Sequence, residues 1–296
     1  MICKNCPRGC KAGFGFCGAK NEEPEAAAVY AHKGEEPPIS GERGISNIFF
    51  AHCNLQCCYC QNHEISRAIV EPSRIRLRGV EAIVDATAMS LCETESMVGL
   101  VSATQYAHLV PAIVEGLHER GLFPTVVYNS NGYESVETLR EIGPYIDVYL
   151  PDYKYADSDL ARRYSNAGDY PEVAGRAIRE MYNQKGSSLA TDERGLAFRG
   201  MIVRHLVLPG QVENSLRCLE WLADNISTNI YVSLMAQYYP PEGVVLPEEL
   251  RRRLRADEYS QVVERFYELG FHRGWVQELE AADNYKPHFE GKTEFR

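Results

Sequence analysis

The chain has 296 residues, of which 45% are apolar, enough for one large domain or two modest ones with a buried core. Its 31 lysines and arginines are outnumbered by 41 aspartates and glutamates, and the net charge of −10 argues against a general nucleic-acid-binding protein. No apolar run approaches the ~20 residues of a membrane span, and the first residues lack the apolar core of a signal peptide. We therefore expect a cytoplasmic protein, in which reduced and clustered cysteines hold metal rather than disulfides.

The first twenty residues contain four cysteines in the spacing C-x2-C-x3-C-x6-C. They are Cys3, Cys6, Cys10 and Cys17. Four thiolates this close in sequence can close a tetrahedral zinc site or hold a complete [4Fe–4S] cluster, and the spacing matches neither the usual zinc ribbon nor the usual ferredoxin run. The same stretch carries four basic residues and no acid, which would offset the negative charge of four thiolates. We predict a metal here, with zinc and an iron–sulfur cluster both left open.

Alternating strands and helices are expected beyond an acidic, proline-containing stretch at 22–38, which indicates a linker. Apolar runs predict strands at 45–51, 97–102, 125–128, 146–150, 201–208 and 230–235. Helical spacing between them, as at Leu109, Val110, Ile113, Val114 and Leu117, indicates a parallel sheet covered by helices. Six such units fit a partial (β/α)6 barrel of the TIM type, although a doubly wound sheet would give a similar pattern.

We therefore predict an α/β protein in three parts. Residues 1–40 form a cysteine-rich metal-binding segment with its linker, residues 41–285 form the barrel, and residues 286–296 form a C-terminal tail.

A second group of cysteines, Cys53, Cys57 and Cys60, follows the first barrel strand in the spacing C-x3-C-x2-C. Three thiolates can hold three corners of a cubic [4Fe–4S] cluster, and because a closed cluster has four cysteine ligands, the fourth iron stays open to an outside ligand. Chemistry in a barrel takes place at the carboxyl ends of the strands, where this loop is expected to lie. A zinc loop or a chance cluster of buried thiols is the alternative.

This motif resembles that of the radical S-adenosylmethionine (SAM) superfamily. Its filler residues are also similar, namely Asn54, Leu55, Gln56, the aromatic Tyr59 and the following Gln61 and Asn62. The resemblance implies a (β/α)6 barrel whose open iron binds SAM. It also implies that an electron from the cluster cleaves SAM to a 5′-deoxyadenosyl radical, which abstracts hydrogen. A cluster with an open iron leads us to expect an anaerobic or oxygen-poor setting.

Motifs at the ends of later strands are similar to one branch, the pyruvate formate-lyase activating enzyme-like (PflX-type) proteins. They are Asn-Ser-Asn-Gly-Tyr-Glu at 129–134, Leu-Pro-Asp-Tyr-Lys-Tyr at 150–155, Arg-His-Leu-Val-Leu-Pro-Gly at 204–210 and Met-Ala-Gln-Tyr-Tyr-Pro at 235–240. This resemblance implies an activating enzyme whose hydrogen donor is a glycine of a partner glycyl radical protein. It also implies an electron donor such as flavodoxin or ferredoxin.

The resemblance further implies that SAM meets side chains at the barrel mouth. The candidates are Tyr59, Ser102, Thr104, Asn129, Ser130, Asp152, Lys154, Arg204 and Gln237. Strand alternation predicts that Asp152 and Lys154 lie on the same side, where a related aspartate helps to bind a monovalent cation and a related lysine meets SAM. A surface ion pair is the alternative. Arg204 is expected to pair with the SAM carboxylate.

The expected position of one SAM contact departs from the superfamily pattern. The second strand usually ends in a glycine-rich stretch that meets the SAM ammonium, whereas this chain has Ser102-Ala103-Thr104. At the third strand, Asn129 and Ser130 suit ribose hydroxyls or a carboxylate, and a plain Asn-Gly turn explains them equally well.

Two other functions remain open from the sequence. The same radical chemistry could act on a small molecule or a different peptide, with the N-terminal cysteines holding an electron relay or a substrate anchor. The third hypothesis is a protein that is not an enzyme, namely a non-catalytic zinc-binding module.

Overall fold

The computed structural model describes residues 3–11, 15–20 and 22–279, so the predicted tail at 286–296 lies outside the described residues. Within them the chain forms an open, mostly parallel sheet with helices packed against it. The strands are β1 Glu25–His32, β2 Ile45–Phe50, β3 Leu77–Arg78, β4 Met97–Val101, β5 Thr125–Ser130, β6 Val148–Pro151, β7 Ala190–Thr191, β8 Ala197–Leu206, β9 Tyr231–Met235 and β10 Gly274–Val276. The helices are α1 Pro37–Ser40, α2 Val80–Leu91, α3 Val110–Glu119, α4 Val136–Ile142, α5 Ser158–Ser165, α6 Tyr170–Lys185, α7 Val212–Asn225 and α8 Ala256–Glu268.

The order of the strands in the sheet is β10-β9-β8-β6-β5-β4-β2-β1-β3, with β7 paired to β8. Neighbours from β2 to β10 run parallel, so their carboxyl ends meet at one edge. All six predicted strands are present, and the predicted α/β fold with a partial barrel is confirmed. None of the helices in the described residues is long and apolar enough to cross a membrane.

The linker prediction for 22–38 is wrong, because this stretch contains β1. The strand pairs antiparallel with β2 from Ala26 opposite Phe50 to His32 opposite Ile45, and also pairs with β3. Half of its eight residues are alanines, and acids and prolines lie on either side, which are weak strand signals on their own. The domain limits at 40 and 285 stay predictions.

The inner face of the sheet is apolar near the start of the strands and polar near their ends. Ile45, Met97 and Ile202 pack there with Ile39 of α1, which lies under the same face. Farther along the same strands come Asn129 and Arg204. The polar residues are therefore gathered at the carboxyl edge of the sheet.

The helices pack on the outer face of the sheet through apolar residues at the predicted helical spacing. In α3 the residues Val110, Ile113, Val114 and Leu117 are buried, one helical stripe as expected. Helix α5 begins at the cap Asp157, whose side chain accepts from the backbone amides of Asp159 and Leu160, and it ends at Asn166 in the left-handed conformation with φ 53°. These two caps fix the position of Ser165, the last residue of the helix.

Candidate functional site

The cysteine loop, residues 52–62, leaves the carboxyl end of β2 through a backbone reversal at His52, whose φ is 71°. Such a positive φ is uncommon for a residue with a side chain and needs support from its surroundings. Both ring nitrogens of His52 have partners at 3.0 Å, the Glu25 carboxylate and the carbonyl of Arg67. The buried imidazole therefore fixes the direction in which the chain enters the loop.

Each of the three predicted cluster ligands receives a hydrogen bond from a side chain. Asn131 Nδ2 donates to Cys53 Sγ at 3.5 Å. Ser165 Oγ donates to Cys57 Sγ at 2.9 Å, and Ser66 Oγ donates to Cys60 Sγ at 3.2 Å. Donors aimed at sulfur stabilise thiolates, the form that binds metal. None of these three donors was predicted from the sequence.

The three thiols lie close enough to affect one another. Burial, followed by the neighbouring Cys60 and Cys53, raises the pKa of Cys57 to about 12, while Lys154 opposes the shift. A metal would have to displace these protons. In the part of the chain that the structure describes, no three histidine, cysteine, aspartate or glutamate side chains are arranged around a single ion. The three thiols and their hydrogen-bond donors are of the kind that hold an iron–sulfur cluster, and their role as its ligands stays a prediction.

Asp152 and Lys154 form an ion pair beside these thiols. Lys154 Nζ lies 2.5 Å from Asp152 Oδ2, and the side chains are only 16% and 20% exposed, so the pair is not a surface one. Burial alone would lower the pKa of Lys154, but Asp152 and then Cys57 raise it, which keeps the ammonium charged. The predicted alternation that puts both residues on one side agrees with this contact.

Glu134 is a buried carboxylate that the sequence analysis did not single out. It accepts hydrogen bonds from two of the predicted cofactor-binding residues. Its Oε1 accepts from Ser130 Oγ at 2.6 Å and from Thr104 Oγ1 at 2.7 Å. Burial raises the pKa of Glu134 to about 7 against these hydrogen bonds and one from Tyr128. Both hydroxyls face the interior in this arrangement, and their contact with a cofactor stays a prediction.

The loop that contains Glu134 also carries Asn131 to the cysteine loop. Asn131 Nδ2 donates to Asn54 Oδ1 at 2.7 Å, and Asn54 Nδ2 donates to the carbonyl of Tyr133 at 2.7 Å. Ser102, on the neighbouring strand end, adopts φ 55° where the superfamily has glycine, and its amide donates to the carbonyl of Asn129. The signal for Asn131 was present in the Asn-Ser-Asn-Gly run, but the run does not show which side chain turns to the sulfur.

A cavity of about 340 Å³ opens at the carboxyl edge of the sheet. It brings together the predicted residues Asn129, Arg204 and Gln237 with Gln61 of the cysteine loop. Gln61 Nε2 donates to the carbonyl of Gln237 at 3.2 Å, which ties the loop to the end of β9. The cavity therefore borders the cysteine loop at Gln61 and Asn62, directly after Cys60.

Arg204 binds two carboxylates in this cavity, which the sequence analysis missed because they lie in the stretch interpreted as a linker. Its Nε donates to Glu36 Oε1 at 2.9 Å, and its Nη2 donates to both Glu35 and Glu36. Burial alone would raise the pKa of Glu35, but Arg204 lowers it to about 2. Two carboxylates face one guanidinium, and the pairing of Arg204 with a cofactor carboxylate stays a prediction.

Tyr59 lies outside that cavity lining. It is 5% exposed, its hydroxyl lies 2.7 Å from that of Tyr155, and its ring packs edge-on against Tyr164 and Tyr238. Tyr59 thus belongs to a buried group of tyrosines behind Cys57, and its predicted contact with a cofactor is untested.

The N-terminal cysteine segment, residues 3–11 and 15–20, packs directly against the cysteine loop. Its four cysteines line one small cavity of about 20 Å³. Arg8 Nε donates to the carbonyl of Asn54 at 2.5 Å, and Gln56 Nε2 donates to the carbonyl of Phe16 at 2.6 Å. Burial and then the neighbouring thiols of Cys17 and Cys3 raise the pKa of Cys6 to about 12. The four cysteines therefore lie near one another, and a metal bound to them stays a prediction.

Comparison with known proteins supports the fold. No family model matches the sequence. An uncharacterized protein of Methanocaldococcus jannaschii is 27% identical over 256 residues, which cover 84% of this chain and 68% of that protein. The crystal structure of SuiB from Streptococcus suis has a TM-score of 0.50 at 13% identity, over 78% of this chain and 49% of SuiB, so the chain spans about half the length of that protein. A domain of a pyruvate-formate lyase-activating enzyme from Bacteroides vulgatus gives a TM-score of 0.40 at 12% identity, over 58% of this chain and 93% of that domain.

Proposed function

We propose that the chain is a radical SAM enzyme, with Cys53, Cys57 and Cys60 as the ligands of a [4Fe–4S] cluster. The observation that carries this proposal is the set of three thiols, each with its own hydrogen-bond donor, at the carboxyl edge of a partial barrel. When bound and reduced, such a cluster transfers one electron to SAM and cleaves it to methionine and a 5′-deoxyadenosyl radical, which takes a hydrogen atom from the substrate.

The chain's own residues would bind and orient SAM in the cavity beside the loop. Lys154 supplies a fixed positive charge next to the thiols, and Asn129 and Gln237 supply amide groups that line the cavity. Buried polar groups on strand ends hold a ligand in one orientation and exclude water, while the cofactor supplies the chemistry.

We further propose an activating-enzyme role, in which the hydrogen comes from a backbone glycine of a partner protein and the electron from a flavodoxin or ferredoxin. The support is the resemblance of the motifs at 129–134, 150–155, 204–210 and 235–240 to that branch. We also propose a cytoplasmic, oxygen-poor setting, because thiols stay reduced in the cytoplasm and a cluster with an open iron is exposed to oxygen.

A small-molecule substrate is the second candidate, and one observation favours it. The cavity holds Glu35, Glu36 and Arg204 as charged groups, which suits a compact polar ligand. A purely zinc-binding module has less support, since three cysteines in the spacing C-x3-C-x2-C leave one position of a metal group without a cysteine ligand.

The N-terminal cysteine segment would hold a second metal, either zinc or a second iron–sulfur cluster. Its support is the common cavity of Cys3, Cys6, Cys10 and Cys17. Metal analysis of the purified protein separates the two, because about four irons with zinc indicate one cluster and about eight irons indicate two.

The deciding experiment is anaerobic reconstitution followed by addition of SAM and dithionite. We expect 5′-deoxyadenosine from the wild type, none from Cys57→Ala, and wild-type amounts from Cys92→Ala, a matched control because Cys92 is exposed and remote from the loop. Zinc without iron, and no 5′-deoxyadenosine after full reconstitution, would contradict the proposal.

A further inference from the structure

Three buried hydroxyl groups form a continuous chain that ends on the sulfur of Cys57. Ser165 Oγ lies 2.9 Å from Cys57 Sγ, Tyr155 OH lies 2.7 Å from Ser165 Oγ, and Tyr59 OH lies 2.7 Å from Tyr155 OH. Ser165 and Tyr155 are fully buried, and Tyr59 is nearly so. We call Tyr59, Tyr155 and Ser165 the hydroxyl chain.

The direction of these hydrogen bonds follows from counting protons. A thiolate can only accept, so the single proton of Ser165 points to the sulfur. Ser165 Oγ must then accept from Tyr155, which has only one proton to donate. The hydrogen bond between the two tyrosines, in which the structure has Tyr155 donating to Tyr59, therefore reverses when Cys57 becomes a thiolate, and Tyr155 then accepts from Tyr59. All three protons point toward Cys57, and each bond polarises the next.

Within residues 3–11, 15–20 and 22–279, no such chain of hydroxyls leads to either of the other two cysteines. Cys53 and Cys60 receive one side-chain donor each, from Asn131 and Ser66. Behind Ser165, in contrast, stand two tyrosines from different parts of the fold, one in the cysteine loop and one after β6. Cys53 also accepts from the backbone amide of Leu55 at 3.5 Å, so Cys57 is distinguished by its shorter hydrogen bond and by the hydroxyls behind its donor, not by the number of its donors.

We propose that the hydroxyl chain raises the reduction potential of the cluster through Cys57, an inference that rests on the proposed function. Adding an electron to an iron–sulfur cluster increases the negative charge on its sulfurs, and hydrogen bonds to those sulfurs stabilise the reduced form. In a dry interior this stabilisation is larger than it would be in water. Tyr155 and Tyr59 are positioning residues in this sense, since they act on the sulfur through Ser165.

The test is a redox titration of the reconstituted protein, followed by the electron paramagnetic resonance signal of the reduced cluster. We expect Ser165→Ala to shift the midpoint potential to a more negative value. Tyr155→Phe, which keeps the ring, should shift it in the same direction by less. Adding Tyr155→Phe to Ser165→Ala should produce no further shift, because the path from Tyr155 to the sulfur is already broken.

Tyr164→Phe is the matched control. Tyr164 packs against the rings of Tyr59 and Tyr155, but its hydroxyl bonds to Glu249 and Gln211 instead of the chain. The Tyr164→Phe variant should have the same midpoint reduction potential as the wild type.

Each outcome separates the inference from the proposed function. A loaded wild-type cluster with unchanged potentials in Ser165→Ala and Tyr155→Phe would overturn the hydroxyl chain alone. An equal shift from Tyr155→Phe with and without Ser165 would also overturn it. A wild type that forms no cluster under full reconstitution would overturn both. If Ser165→Ala fails to load, the comparison of Tyr155→Phe with Tyr164→Phe decides the question.

Discussion

Arg8 holds the backbone of Asn54, the residue that follows the first cysteine of the loop. The guanidinium donates to the Asn54 carbonyl at 2.5 Å and to the Asn166 carbonyl at 3.0 Å, and it lies 3.6 Å from the centre of the Phe16 ring. One side chain of the N-terminal cysteine segment thus supports both the loop and the end of α5, where Ser165 meets Cys57.

We expect Arg8→Ala to lower the free energy of unfolding by about 2–3 kcal/mol, because it removes charged hydrogen bonds and a cation–π contact. It should also lower the iron bound per chain after reconstitution, since the loop loses a backbone support. Denaturant titration and iron analysis measure the two effects. Lys20→Ala removes the same charge from an exposed position and is the control. Equal iron loading in the two variants would show that the loop does not depend on Arg8.

Arg204 is predicted to stabilise the fold regardless of any cofactor. Arg204→Ala leaves Glu35 and Glu36 buried without their cation, and breaking a buried pair costs about 3–5 kcal/mol of unfolding free energy. The variant Arg204→Met with Glu35→Gln and Glu36→Gln should recover part of this loss, because no unpaired charge remains.

The control for Arg204 is an exposed ion pair, Arg176 with Glu172, at 59% and 73% exposure. Arg176→Ala should change the free energy of unfolding by about 1 kcal/mol or less. If Arg204→Ala is as stable as Arg176→Ala in denaturant titrations, the network is not structural and the prediction fails.

The barrel strands were predictable because buried parallel strands are continuous apolar runs, as in β4 and β9. Strand β1 was not predictable, since its alanines carry little strand preference and its stability comes from pairing with β2 and β3 in the folded chain. The position of the cysteine loop was also predictable, because a loop that directly follows a parallel strand leaves from the carboxyl edge of the sheet.

The residues that form hydrogen bonds and ion pairs with the site residues could not be predicted in the same way. Ser165 is 108 residues from Cys57, and Glu36 is 168 residues from Arg204, so only the folded chain brings them together. Serine, asparagine and glutamate are common at turns and helix ends, and a sequence pattern does not reveal which of them face a sulfur or a guanidinium. Asp152 and Lys154 lie just beyond the end of β6 at Pro151, and their ion pair still brings the two charged groups together on one side.

Glu134 should make stability fall as the pH rises between 4.5 and 7. Its pKa is raised from 4.5 to about 7, so over this range the folded protein keeps a proton that the unfolded chain loses. The slope integrates to about 3 kcal/mol at 1.36 kcal/mol per pKa unit. Glu134→Gln should lose this component and flatten the profile of unfolding free energy against pH.

The neighbouring Tyr128 and Cys6 do not titrate in that range. Burial raises the pKa of Tyr128 well above its usual value, and burial raises the pKa of Cys6 to about 12. Denaturant titrations at several pH values measure the profile, with Glu137→Gln, an exposed neighbour, as the control. Parallel profiles for the wild type and Glu134→Gln would mean that Glu134 ionises normally in the fold.

Lys154 should be required for SAM binding more than for cluster assembly. Burial opposes its charge, yet Asp152 and then Cys57 raise its pKa, so the ammonium stays charged beside the thiols at every working pH. Lys154→Met keeps the length of the side chain and should weaken SAM binding at least tenfold, about 1.4 kcal/mol, with unchanged iron content. Anaerobic calorimetry on the reconstituted protein measures the affinity, and Lys33→Met, at an exposed position, is the control. Equal affinities in the two variants would remove Lys154 from the binding site, whereas a loaded wild type that does not bind SAM would contradict the proposed function itself.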